Sequence, residues 1–205
     1  MFDSRKYRPA DDSIANEFLA AQRHGTLMAC APGAAPQASI LPYLFVAPNV
    51  VELHCVQADA TFAAVRANAA VSLLVSDFLA YTPHHWVDPV DGSEATLHFE
   101  AVLLHGTATV ATEPDEVAAA LARLMQHVGH GPDYAPVVDD ERYGPQLRRL
   151  AAVRIHVTGR QVKFKVGSSD MARRQRLADE LRARDEPGDR RAADEFERLA
   201  PRLVR

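Results

Sequence analysis

Short apolar runs that alternate with turn-forming residues dominate the first half of the chain. Two of them, 24–30 and 38–45, flank the Ala/Pro/Gly-rich segment 31–37 and predict a hairpin of neighbouring strands. Pro42 in the second run predicts a sheet edge or a bulge, because proline has no N–H to donate to an adjoining strand. Further strands are predicted at 50–56, 70–75, 78–87, 96–110, 152–157 and 161–166.

Glycine interrupts the later strand patterns at two places. Gly106 predicts a kink or a bulge within the long run 96–110. The segment Thr158-Gly159-Arg160 predicts a turn that joins 152–157 and 161–166 as a hairpin.

Helical periodicity is clearest in the middle of the chain. A single apolar stripe of Val117, Leu121, Leu124 and Val128 predicts a helix, and Thr112-Glu113-Pro114-Asp115 resembles a capping box at its start. Other helices are predicted near 13–22, at 61–67, and as a pair within 170–205 that Pro187-Gly188 separates.

The order of these elements excludes a regular alternation of strands and helices, which a parallel sheet would need. It favours a mainly β fold, an antiparallel barrel with peripheral α-helices and a helical C-terminal tail. We interpret 1–169 as the barrel domain, with an internal helix near 113–128, and 170–205 as a helical extension that packs on the same domain. The irregular segment 129–145 is typical of a functional or mobile loop.

Composition narrows the class of protein. Cys30 and Cys55 lie in apolar runs without a CxxC pair, which predicts reduced, buried thiols. No run approaches the roughly 20 apolar residues of a membrane span, and the charged N-terminus lacks a signal core, so we expect a cytoplasmic protein. The net charge is −4, and acids alternate with the arginines of 170–205, so direct nucleic-acid binding is not expected.

Several segments carry a resemblance to a known family. They are Met1-Phe2 through Tyr7-Arg8-Pro9, Gly25-Thr26-Leu27 with Ile40-Leu41-Pro42, Leu53-His54-Cys55-Val56, Thr82-Pro83-His84-His85-Trp86 and Lys163-Phe164-Lys165-Val166. Together they resemble the PaiB-type FMN-binding split-barrel proteins, which are often labelled negative transcriptional regulators. The resemblance implies a split β-barrel homodimer that holds FMN between its protomers.

Three segments depart from the family pattern. After the histidine the family usually has Ala-Arg-Ala-Asn-Pro, whereas this chain has Val56-Gln57-Ala58-Asp59-Ala60 and no arginine. The Pro-Thr-Trp-Asn-Tyr block of the family is reduced here to Ala95-Thr96-Leu97-His98-Phe99. Gly167-Ser168-Ser169 stands where the family has Ser-Gln-Asn.

An FMN phosphate is a dianion that requires cations or several N–H and O–H donors. Lys163 and Lys165 lie two apart on one strand and share a face, with Ser168 and Ser169 just beyond. They could bind the phosphate, or the lysines could form a solvated face at a sheet edge. Thr82, His84, Trp86, Thr96 and His98 could surround the flavin ring, or they could be core residues. His54 matches a family position. The predicted FMN site is therefore His54, Thr82, Trp86, Thr96, His98, Lys163, Lys165 and Ser168.

No catalytic residue or metal site is predicted. His84 and His85 would point to opposite faces of a strand, and His127 and His130 have no cysteine nearby. Phosphate-loop and serine-nucleophile motifs are also missing from the sequence.

Three functions remain open. They are an FMN-binding homodimer of the PaiB type with a regulatory or redox role, a split barrel that has lost flavin and serves as a ligand-binding or regulatory module, and a haem-binding split barrel with a histidine as axial ligand.

Overall fold

Six strands form the sheet in a computed structural model that describes residues 7–129 and 133–203. They are β1 His24–Ala29, β2 Gln37–Val46, β3 Val50–Val56, β4 Ala70–Thr82, β5 Thr96–Ala111 and β6 Leu150–Lys165. The strands close into a barrel in the order β1-β2-β3-β6-β5-β4. The predicted mainly β, antiparallel barrel with peripheral helices is confirmed.

Six α-helices accompany the strands in the described part of the chain. They are α1 Asp12–Ala21, α2 Ala60–Ala67, α3 Pro114–His127, α4 Gly144–Leu147, α5 Met171–Arg184 and α6 Asp189–Leu199. None of the helices in these ranges has the length and apolar character that a membrane span needs.

The described chain divides into two compact units. The first unit comprises Met1–Ala15, Ser76–Val102 and Gln161–Arg205, and the second comprises Asn16–Val75 and Leu103–Arg160. The interpretation of 1–169 as a domain with a packed extension at 170–205 stays a prediction.

The predicted N-terminal hairpin is confirmed in the second unit. Strands β1 and β2 pair antiparallel from Ala29 opposite Gln37 to His24 opposite Pro42. Strand β2 pairs with β3 from Tyr43 onward, so Pro42 lies where β2 changes its partner. The missing N–H of proline is tolerated at such a junction, as the sequence pattern indicated.

The predicted hairpin around Gly159 is wrong. β6 runs unbroken from Leu150 to Lys165. Two-residue hairpin turns need residues with positive φ, and Gly159 is not among the glycines that adopt it. The segment therefore continues as an extended strand.

The predicted strand 78–87 is also wrong in its second half. β4 extends from Ala70 to Thr82, and His84–Trp86 forms a 3₁₀ turn after Pro83. Pro83 lacks the N–H that would continue the ladder, and its carbonyl accepts the Trp86 N–H at 3.4 Å. Trp86 therefore does not share a strand face with Thr82.

The N-terminal caps of two helices, α5 and α3, can be compared with the sequence. The Asp170 carboxylate caps α5 by accepting the Arg173 N–H at 2.6 Å. The predicted capping box of α3 is wrong, because Glu113 is the N-cap and makes no side-chain bond. Pro114 restricts Glu113 to extended backbone, which moves the cap one residue past Thr112.

Candidate functional site

A cavity of about 330 Å³ lies in the first unit, within the range of small-molecule sites. We call it the His98 pocket. Five residues of the predicted FMN site line it, namely Thr82, Thr96, His98, Lys165 and Ser168. The other lining residues are Tyr7, Val87, Glu94, Val166, Gly167, Ser169, Arg173, Arg174, Leu177, Ala200 and Leu203.

Strand ends bring the predicted residues together. Thr82 ends β4, Thr96 begins β5 and Lys165 ends β6. The turn from 166 to 169 then leads into α5, and Gly167 adopts a φ of 56° there. This left-handed conformation favours glycine and directs the chain from the strand into the helix.

Thr82 and His98 form a buried polar pair. The Thr82 Oγ1 lies 3.0 Å from the His98 Nε2, and His98 is only 2% exposed. Burial and the nearby Lys165 ammonium lower the pKa of His98 to about 4, an effect that a backbone group of Lys165 offsets only in part. His98 is therefore neutral near pH 7, so one of its ring nitrogens carries a hydrogen and the other a free lone pair.

This buried neutral imidazole predicts acid sensitivity. The unfolded chain binds a proton at His98 near pH 6.5 and the folded chain only near pH 4, so the contribution of His98 to stability is full above pH 6.5 and is lost as the pH drops towards 4. We expect His98→Gln to remove about 3 kcal/mol of that pH-dependent change in the free energy of unfolding. Urea unfolding of the wild type and the variant between pH 4 and 7 measures this difference. If the free energy of unfolding of the two proteins changes in parallel with pH, the lowered pKa of His98 is wrong.

Two cations of the His98 pocket have no carboxylate partner within the described residues. The Lys165 Nζ contacts the Thr96 Oγ1 at 3.4 Å, and the Arg174 Nη1 donates to the Ser168 carbonyl at 3.1 Å. Arg173, by contrast, forms an ion pair with Glu94. The pocket therefore carries two cations that form no ion pair among the described residues, although the charge of Arg174 helps to lower the pKa of Glu197.

The other predicted residues lie outside the pocket lining. The Lys163 Nζ lies 5.5 Å from the centroid of the Tyr7 ring and 5.8 Å from that of Phe99. The Arg184 guanidinium carbon lies over the Trp86 ring, 5.0 Å from its centroid. His54 belongs to the second unit, where burial lowers its pKa.

The sequence pattern does not predict the arginines of the pocket. Acids alternate with the arginines of 170–205, which predicts that Arg173 and Arg174 belong to a solvated helix. The sequence does contain a signal for them. Gly167-Ser168-Ser169-Asp170 is a turn and a helix cap that directly follows the strand with Lys163 and Lys165. Arginines in the first turn of a helix that starts there lie close to the end of that strand.

The position of the family arginine holds a neutral side chain with a structural role. The Gln57 Nε2 donates to the carbonyls of Leu150 at 2.8 Å and Arg148 at 3.2 Å in the second unit. Asp59 caps α2 through the Thr61 N–H at 2.7 Å, which adds a negative charge. The segment 57–59 thus lacks the positive charge that a phosphate needs.

Comparisons with known proteins support the barrel fold. The flavocytochrome Anf3 from Azotobacter vinelandii is 16% identical with a TM-score of 0.62, over 77% of this chain and 69% of that one. An FAD and heme binding protein from Mycobacterium smegmatis is 15% identical with a TM-score of 0.62, over 86% of this chain and 79% of that one. No curated protein matches the sequence.

A family profile gives a more specific result. The profile described as "Putative FMN-binding domain" matches residues 1–159. The match ends before Lys163, Lys165 and the helices α5 and α6. Since it covers well over half of the 205 residues, the chain belongs to this FMN-binding family.

Proposed function

We propose that this chain is a PaiB-type flavoprotein that holds FMN in the His98 pocket, with the phosphate at Lys165 and Arg174. Membership of the family supports FMN as the cofactor, and two lining cations without an ion pair, in a cavity of suitable size, carry the assignment of the site. Ser168 and Ser169 add hydroxyl donors at the same end of the pocket.

Charge balance favours this pocket over the segment 57–59. A phosphate monoester carries about −1.5 to −2 charges near pH 7. Lys165 and Arg174 match that charge, whereas Gln57 is neutral and Asp59 would repel the anion.

The remaining lining residues suit a flat ring with polar edges. Tyr7, Val87, Leu177 and Leu203 give apolar walls, and Thr96 and neutral His98 give hydrogen-bonding groups. Bound FMN would supply the redox chemistry, while these residues bind the ring, orient it and exclude water.

The homodimer and the regulatory role are further parts of this proposal. The side chains of Phe78, Tyr81 and Leu97 are exposed in the first unit, as are those of Ile40 and Val56 in the second. A second copy could cover such apolar groups. The regulatory role and the cytoplasmic location rest on the resemblance and on the sequence alone.

Retention of FMN through gel filtration tests the proposed site. We expect the wild type to keep flavin absorption bands, and Lys165→Met to weaken FMN binding about 10-fold or more, because a charge-assisted bond is lost. Lys163→Met is the matched control, since Lys163 lies on the same strand outside the pocket lining. The elution volume also reports whether the protein is a dimer.

The other outcomes separate the alternatives. Equal effects of the two lysine substitutions would exclude the His98 pocket as the phosphate site. A wild type that retains no flavin would favour loss of the cofactor, which the absence of arginine at Gln57 would then explain. Red-brown protein with a haem absorption band would favour the haem-binding alternative.

A further inference from the structure

A glutamate side chain is buried in the first unit, on the same face of β5 as His98, whose ring contacts Phe196 of α6. Glu100 lies on β5 and is 4% exposed. Among the described residues it forms no hydrogen bond and no ion pair. A buried carboxylate without a direct partner is unstable in its charged form.

The charged groups around Glu100 are already paired with one another. They are Asp77 on β4 and Arg191, Glu195 and Arg198 on α6. Arg191 binds Asp77 through both guanidinium nitrogens, and Arg198 binds Glu195 at 2.7 and 3.0 Å. The cluster is neutral when Glu100 is protonated and carries a net negative charge when Glu100 ionises.

The titration of Glu100 agrees with this arrangement. Burial, with Glu195 and Asp77, raises its pKa to about 7, and Arg198 and Arg191 offset only part of the rise. When α6 moves away, the carboxyl returns towards its ordinary value of 4.5. The docked helix is therefore most favoured below pH 4.5 and becomes less favoured as the pH rises to about 7.

The position of α6 also determines one wall of the His98 pocket. The Phe196 ring lies 4.5 Å from the His98 ring by centroids. It also packs against Gly167, where an added Cβ would lie 3.1 Å from the Phe196 Cγ. Ala200, directly after α6, and Leu203 line the pocket themselves.

We propose that Glu100 is a proton-controlled latch of the His98 pocket. While the carboxyl is uncharged α6 stays docked, and its ionisation destabilises the docked position of α6 and opens the pocket wall. The latch requires no ligand, and only its effect on FMN rests on the proposed function.

Hydrogen exchange of the α6 amides at pH 5 and pH 8 tests the latch without added ligand. After correction for intrinsic exchange rates, we expect the opening equilibrium of α6 in the wild type to be about 10-fold to 100-fold larger at pH 8. Glu100→Gln, an uncharged variant of the same shape, should lose this response. Glu197→Gln is the control and should keep the pH response. Glu197 is a carboxylate on the side of α6 that faces α5, opposite Glu100, and it is paired with Arg182.

Two results would overturn the latch. One is a wild type whose α6 exchanges equally at both pH values, and the other is a full response that persists in Glu100→Gln. If Glu100→Gln does not fold, the latch is still tested by α6 exchange in the wild type at pH 5 and pH 8 and by the same measurement on Glu100→Ala. FMN release at pH 8 is measured separately, so a protein that binds no FMN but shows the exchange response would reject the proposed function and keep the latch.

Discussion

Replacement of Phe196 by alanine is expected to lower the free energy of unfolding by about 4 kcal/mol. The ring is fully buried and packs against both His98 and Gly167. Its removal would leave a cavity at the wall of the His98 pocket, so FMN affinity should fall as well. Urea unfolding followed by circular dichroism measures the loss of stability.

An exposed apolar residue serves as the control for that experiment. Val90 belongs to the same unit, is 90% exposed and is not among the side chains proposed for the dimer face, so Val90→Ala should change stability by less than about 0.5 kcal/mol. If the two variants lose the same stability, α6 is not docked as described, and both the pocket and the latch lose their structural basis.

Gly106→Ala is expected to destabilise the protein by about 3 kcal/mol or more. A Cβ at this position of β5 would lie 2.4 Å from the His156 carbonyl oxygen and 2.8 Å from the Ile155 Cγ2. The obstacle is backbone of β6, which cannot rotate away as a flexible side chain can. The thermal unfolding midpoint of the variant should therefore fall sharply.

Gly159→Ala provides the comparison for Gly106→Ala. An added Cβ at Gly159 meets no atom within 4 Å, so this variant should unfold close to the wild-type temperature. Tolerance of alanine at both positions would mean that β5 and β6 do not approach as closely at Gly106 as the structure indicates.

The sequence predicts elements well where one local signal dominates. The apolar stripe of α3, the Pro187-Gly188 break before α6 and the first hairpin are all confirmed. Each depends on residues close together in the chain, and hydrophobic periodicity or turn chemistry is sufficient for such elements. Two predictions fall partly outside the described residues: the spacing of His127 and His130, because His130 is outside them, and the family-like N-terminal segment, because residues 1–6 are outside them.

Predictions fail where contacts with residues distant in the sequence determine the backbone conformation. Gly159 resembles a turn residue, but continued extension of β6 keeps it in a strand. The run after Pro83 contains strand-forming residues, yet it folds as a 3₁₀ turn. The same limit applies to the site, since alternation puts Lys163 and Lys165 on one face but cannot show that Lys163 lies beside the rings of Tyr7 and Phe99.

The lining of the His98 pocket comes from two stretches of the chain, one inside the range that matches the family profile and one beyond it. Thr82, Thr96 and His98 lie within the matched range 1–159, whereas Lys165, Ser168 and Arg174 lie beyond it. Mutations in the later stretch could alter the charge of the pocket while the barrel strands that pair within 24–156 stay unchanged. Ligand preference could therefore diverge among relatives faster than the barrel itself, and similarity over the barrel alone would be a poor guide to what each relative binds.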